Sequence, residues 1–138
     1  MISRSPEETK KIAAELAATL KGGEVILLHG ELGAGKTTFV QGLCEALGCA
    51  LAKSPTFTIM NEHKIDGTNT THVKKILHLD FYRTASAHGL GLEEMMGKTD
   101  TLTVMEWPPA DLALPTSARV MEVALSAGDG DTRNIEIF

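Results

Sequence analysis

The residues Gly30-Glu31-Leu32-Gly33-Ala34-Gly35-Lys36-Thr37 have the types and spacing needed to grip phosphate. In the order G-x-x-x-x-G-K-[ST], the glycines let the backbone curl until successive N–H groups point into one hollow, which holds an anion. A helix beginning near Lys36 adds its positive end at the same spot. Lys36 is then placed to reach the β- and γ-phosphates of a nucleotide, and the Thr37 hydroxyl to ligate Mg²⁺. Lysine is the deciding residue, because a turn with a purely structural task has no need to aim an ammonium group into its own concave face.

The flanks supply the context this loop requires. Residues 24–29 carry the apolar run Val25-Ile26-Leu27-Leu28, too short for a helix and typical of a strand buried on both faces. It is predicted to be the central parallel strand. Residues 36–47 place Phe39, Val40, Leu43 and Leu47 on one side and stop at Gly48, which predicts a helix. Upstream, Ser5-Pro6-Glu7-Glu8 reads as a serine N-cap, a proline at the first helical position and a glutamate placed to close a capping box. A helix over residues 6–21 follows, with Ile12, Ala13, Leu16, Ala17 and Leu20 at helical spacing, ended by Gly22-Gly23.

Downstream, β-rich segments at 56–62 and 73–81 flank a polar stretch, 66–71, and predict a hairpin. Residues 84–97 read as short helices interrupted by Gly89 and Gly91. Residues 102–106 form another buried strand, stopped by Trp107-Pro108-Pro109, and 118–125 with 133–138 make a last hairpin across Gly128-Asp129-Gly130-Asp131. The expected fold class is α/β, a three-layer P-loop NTPase-like arrangement with a central mixed sheet flanked by helices, in a single domain over residues 1–138.

Ligands of open α/β sheets sit at the carboxyl ends of parallel strands, so acids that follow apolar strands are candidates. Asp80 ends Ile76-Leu77-His78-Leu79, and Glu106 ends Leu102-Thr103-Val104-Met105. Either could hold the magnesium, and the other could orient an attacking water. Each alone could be an ordinary strand-end carboxylate facing solvent; as a pair beside a phosphate loop they point to function. Trp107 could stack on a base or simply pack at the core rim. The histidines show no ligand spacing and are assigned no chemistry.

Composition narrows the partners. The 138 residues carry a net charge of −5 and no block of lysine or arginine, so neither nucleic acid nor an anionic membrane is an expected autonomous ligand. Cys44 and Cys49 have neither metal-site spacing nor the number of a disulfide scaffold, and are expected to be thiols in a reducing compartment. The first residues lead into a charged helix, and no apolar run is long enough to span a bilayer. A cytoplasmic location is expected.

Four blocks together resemble the TsaE family (formerly YjeE), small bacterial ATPases of tRNA threonylcarbamoyladenosine biosynthesis. They are Gly30 through Phe39, then Ser54-Pro55-Thr56-Phe57, His78-Leu79-Asp80-Phe81-Tyr82-Arg83, and Glu106-Trp107. The resemblance implies binding of ATP or ADP with Mg²⁺, and weak ATP hydrolysis stimulated by partners, the TsaB and TsaD proteins. TsaD transfers the threonylcarbamoyl group to an adenosine beside the anticodon, so tRNA is met only through the complex. By this resemblance Thr37 and Glu106 match the magnesium-binding residues, Asp80 the essential aspartate that with Lys36 would serve catalysis, and Ser54-Pro55-Thr56 a switch-like loop facing the γ-phosphate. Nucleotide contacts are implied for Glu31, Leu32, Gly33, Ala34, Gly35, Lys36, Thr37, Thr38 and Thr56, and for Thr9 and Arg133 near the two chain ends. The 66–71 stretch and the two prolines after Trp107 depart from the family pattern without touching a matched site.

Two other functions share the phosphate cradle. A small-molecule kinase needs an acceptor pocket and usually an arginine-bearing lid, for which only Arg83 is well placed and little chain remains. A non-hydrolysing module would use bound nucleotide only to order residues 54–57 for docking.

Overall fold

The computed structural model describes residues 1–49, 60–65, 72–82, 92–110, 112–116 and 118–138. In chain order the elements are β1 (Ile2–Ser3), α1 (Pro6–Ala17), β2 (Val25–His29), α2 (Lys36–Leu47), β3 (Met60–Lys64), β4 (Lys75–Asp80), α3 (Leu92–Met95), β5 (Thr101–Glu106), β6 (Val120–Ala127) and β7 (Arg133–Ile137). The strands form one seven-stranded sheet in the order β1-β7-β6-β2-β5-β4-β3. Strands β6, β2, β5 and β4 run parallel, and β2 lies at the centre as its uninterrupted apolar run predicts. The outer strands are antiparallel: β3 on β4, β7 on β6 and β1 on β7.

Alternation along the strands sorts side chains to two faces. Ile26, Leu28, Ile76, Leu102 and Val104 join Ala13, Phe39 and Leu43 in the core that α1 and α2 cover. Val25, Leu27, Leu77, Leu79 and Met105 face the other way, where Met96 and the half-buried Leu112 and Leu114 cover them. The result is three layers of unequal weight: two 12-residue helices on one side, a four-residue helix and loops on the other.

Helices α1 and α2 meet at Gly42, where an added Cβ would lie 2.7 Å from the Lys10 Cα and 2.9 Å from the Ala13 Cβ. That close approach requires glycine inside a helix, where it would otherwise cost about 1 kcal/mol relative to alanine.

The predicted helix over 36–47 and the two hairpins are present. Two local expectations are corrected, and one short strand was not foreseen. Helix α1 stops at Ala17 instead of residue 21, because Thr19 N–H and its hydroxyl both donate to the Leu16 carbonyl and tighten the turn. The buried Glu24 carboxylate then accepts from Lys21 N–H at 2.7 Å and Gly22 N–H at 2.8 Å, so the chain is already turning into β2. At the other end Ser5 Oγ accepts from Glu8 N–H as expected, but the Glu8 carboxylate accepts from Arg4 N–H, one residue before the cap. Strand β1, two residues long, has no periodicity to betray it and forms by pairing with β7. Residues 54–57, 66–71 and 83–91, on which a switch-like loop, a hairpin tip and part of a helical segment were predicted, lie outside the described residues.

Candidate active site

Parallel pairing brings the site together. The register sets Glu106 opposite Leu28 on β2 and opposite Asp80 on β4, so both acids stand in line at the ends of adjacent strands. Asp80 and Glu106 also share strand parity with Ile76 and Val104, which face α2. The two acids are therefore on the side where Lys36 and Thr37 begin that helix.

The glycine loop connects β2 to α2 through positive φ at Gly30 (154°), Gly33 (82°) and Gly35 (102°). At Gly30 a Cβ would lie 2.6 Å from the Leu125 carbonyl oxygen, so the approach of β6 excludes any side chain. Gly35 caps α2 in the left-handed region and offers its first turn no side-chain acceptor, leaving the helix's positive end uncompensated by the cap.

Lys36 is buried in this arrangement. Its Nζ donates to the Gly30 carbonyl at 2.5 Å and lies 4.0 Å from the centroid of the Trp107 ring. Burial pushes its pKa below the ordinary lysine value, while the negative charges of Glu106, Asp80 and Glu31 oppose that shift. Asp80 is held by its own turn, its carboxylate accepting from Tyr82 N–H at 2.9 Å. Glu106 is only 3% exposed, so it is not a solvent-facing strand end; His78 Nε2 donates to its Oε2 at 2.6 Å.

A cleft of about 360 Å³ is lined by the glycine loop, Lys36, Thr37, Thr38, Asp80, Tyr82, Glu106, Trp107 and Arg133. Leu32, Gly33 and Gly35 are the loop residues on its wall, and Leu32 is 67% exposed. Ala34, by contrast, is buried, with its N–H donating to the Glu31 carbonyl. A larger cleft, about 580 Å³, adjoins the first, sharing Tyr82 and Trp107 and reaching Gly30, Glu31 and the Trp107-Pro108-Pro109 turn. Trp107 separates the two with φ at +54°, a left-handed conformation rare for so large a side chain, and its ring packs 5.1 Å from that of Tyr82.

The donor set fits a nucleotide with a hard cation. Among the described residues no three His, Cys, Asp or Glu side chains cluster to hold a metal alone. Mg²⁺ characteristically takes one or two carboxylates, a hydroxyl and phosphate oxygens, which is what Thr37 and the acids beside a phosphate loop can provide.

A family model described as "Threonylcarbamoyl adenosine biosynthesis protein TsaE" matches residues 3–135. The chain belongs to the TsaE family. It is 41% identical over 133 residues to the tRNA threonylcarbamoyladenosine biosynthesis protein TsaE of Bacillus subtilis, covering 95% of this chain and 79% of that protein. To the TsaE protein of Aquifex aeolicus it is 40% identical over 114 residues, covering 80% of this chain and 77% of the relative. Among solved structures, YdiB from Bacillus subtilis superposes with a TM-score of 0.70 at 36% identity, covering 98% of this chain and 80% of that one. The fold is the P-loop NTPase-like one that the strand, loop and helix order predicts.

Of the two chain-end residues carried over from the TsaE family, Arg133 lines the cleft. It opens β7 opposite Ala127, at the same end of the sheet as the glycine loop, and its guanidinium donates to the Gly130 and Thr132 carbonyls. Thr9 stands one step back: buried in α1, its hydroxyl bonds Ser3 Oγ at 2.7 Å, and Ser3 pairs in register with Arg133. Thr56 and Arg83, in the other TsaE blocks, lie outside the described residues. Sequence reasoning missed His78 and gave Tyr82 no role. The signal for His78 was its parity with Asp80, two residues on, in a strand otherwise apolar on that face. No helix among the described residues is long and apolar enough to cross a membrane.

Proposed function

We propose that this chain is a Mg²⁺-dependent ATPase, acting as one P-loop domain over residues 1–138, that supports threonylcarbamoyl transfer to tRNA adenosine by a TsaB–TsaD complex. The observation that carries the reading is the meeting of Lys36, Thr37, Asp80 and Glu106 on one cleft from three separate stretches of sequence. Membership of a family named for threonylcarbamoyl adenosine biosynthesis supports the pathway.

On this reading the loop amides and Lys36 hold the β- and γ-phosphates, and Lys36 stabilises negative charge as it builds on the transferring group. Thr37 and Glu106 would hold Mg²⁺, whose chemistry here is to neutralise charge on the phosphates. Asp80, oriented by Tyr82 N–H, accepts a hydrogen bond from the attacking water. Arg133, from β7 on the other side of β2 from Asp80, contributes positive charge to the same cleft. A net charge of −5 leaves tRNA to be met through the partners.

The test follows the γ-phosphate of labelled ATP. Release as inorganic phosphate, faster when TsaB and TsaD are added, is the expected result. Label appearing on a small metabolite would convert the reading to a kinase, with the adjoining 580 Å³ cleft as the acceptor site. No release in any mixture despite tight binding would leave a docking module. In the same assay Asp80→Ala should bind nucleotide normally and turn over about 100-fold more slowly, the scale of a lost general acid–base contact.

A further inference from the structure

The buried pair that Glu106 of the cleft wall makes with His78 is not explained by packing. His78 and Glu106 have side chains 1% and 4% exposed and are joined at 2.6 Å through Nε2 and Oε2. A carboxylate oxygen that accepts this bond requires the ring proton on Nε2, which assigns the tautomer. The other ring nitrogen, Nδ1, is buried without a partner among the described residues. A leucine would fill the same space in this apolar strand without leaving a polar atom unpaired. What the histidine provides that a leucine cannot is a donor to Glu106.

The strand register explains how it reaches. Glu106 pairs with Asp80, and His78 precedes Asp80 by two residues on the same face, so its ring lies diagonally behind the carboxylate. We propose that His78 is the positioning residue for Glu106, holding that carboxylate in the orientation from which it meets the Mg²⁺ of a bound nucleotide. The assignment rests on reading the cleft as a Mg²⁺–nucleotide site. Partners behind a metal ligand commonly set metal affinity in this way, by fixing the ligand's orientation and its available oxygen.

The experiment compares the parent, His78→Leu and His78→Gln by calorimetric titration with a non-hydrolysable ATP analogue, once with Mg²⁺ and once with a chelator. Glutamine sets its amide nitrogen where Nε2 stood; leucine fills space only. The parent should gain affinity from Mg²⁺. His78→Leu should lose about 10- to 100-fold of the Mg²⁺-dependent affinity while binding the metal-free analogue as the parent does. His78→Gln should stay close to the parent in both.

Unchanged Mg²⁺-dependent binding in His78→Leu would overturn the assignment. So would equal loss with and without the metal, which marks general distortion, or a glutamine variant as impaired as the leucine one. A parent that gains nothing from Mg²⁺ would instead sink the reading of the cleft, and this assignment with it. If His78→Leu does not fold, His78→Asn replaces it, since its amide is set at the Nδ1 position and cannot reach Glu106. In nitrogen-15 spectra of the parent the His78 ring should carry its proton on Nε2; a neutral Nδ1–H tautomer would contradict the bond.

Discussion

Lys36 joins the cleft's two requirements, since the charge that would grip phosphate is also a charge buried in the folded chain. Its lowered pKa fixes the sign of the effect on stability. Below the folded-state value both folded and unfolded chains hold the proton, and the cost of burying the ammonium is fully present. Between that value and the ordinary lysine value the unfolded chain binds more protons, so stability rises with pH. Lys36→Met, which keeps the length and removes the charge, should therefore melt no lower than the parent near neutral pH and lose that alkaline rise. Nucleotide affinity should fall about 10- to 100-fold, the worth of a charge-assisted contact. Thermal unfolding across pH and calorimetry on the same samples check both halves, and a variant that unfolds earlier while binding normally would contradict them. Lys36, Thr37, Asp80 and Glu106 were legible in the sequence because each has a local signal: a spaced glycine motif, or an acid closing an apolar run. The bond from His78 to Glu106 spans 28 residues, and Trp107 adopts its positive φ without a glycine to announce it. Neither follows from neighbours along the chain.

Among the elements, α2 is bounded by Gly35 and Gly48, both left-handed, and its predicted limits are the observed ones for that reason. Helix α1 has no such stop at its C-terminus. Its end is set by Thr19 bonding back to the Leu16 carbonyl, and the chain beyond it is turned by the Glu24 carboxylate reaching back to Lys21 and Gly22, a contact made by a buried acid that hydropathy alone would read as solvent-facing. Strand β1 exists only because β7 offers an edge. The two helices pose a contest of magnitudes at Gly42. Helix propensity favours Gly42→Ala by about 1 kcal/mol. Sterics oppose it, because the new methyl would meet Lys10 backbone at 2.7 and 2.8 Å, and overpacking of this kind costs about 1–3 kcal/mol. Backbone of a packed helix cannot give way as a side-chain tip can, so the variant should be destabilised by about 1–2 kcal/mol in urea unfolding. An increase in stability would mean that α1 shifts freely over α2.

For the whole molecule, the cleft draws on the β2–α2 loop, the end of β4, the end of β5 and the start of β7. A ligand held by all four ties together the ends of three strands and the loop that opens α2. A non-hydrolysable ATP analogue with Mg²⁺, at 100 times its dissociation constant, should stabilise the chain by about 2.7 kcal/mol, visible as a rise in melting temperature. No rise at saturation would mean that binding, if any, does not distinguish the folded chain. The strand order also bears on how the molecule is made. Strand β2 lies between β5 and β6, both of which come later in the chain. On a ribosome adding about 5–20 residues per second, roughly seventy residues must follow β2 before β5 emerges, a wait of about 4–15 s. Throughout it Val25, Ile26, Leu27 and Leu28, the least polar stretch at the heart of the finished protein, have no neighbour on either edge, so nascent chains arrested before Thr101 should be cut readily by protease and bound by chaperones that grasp apolar segments.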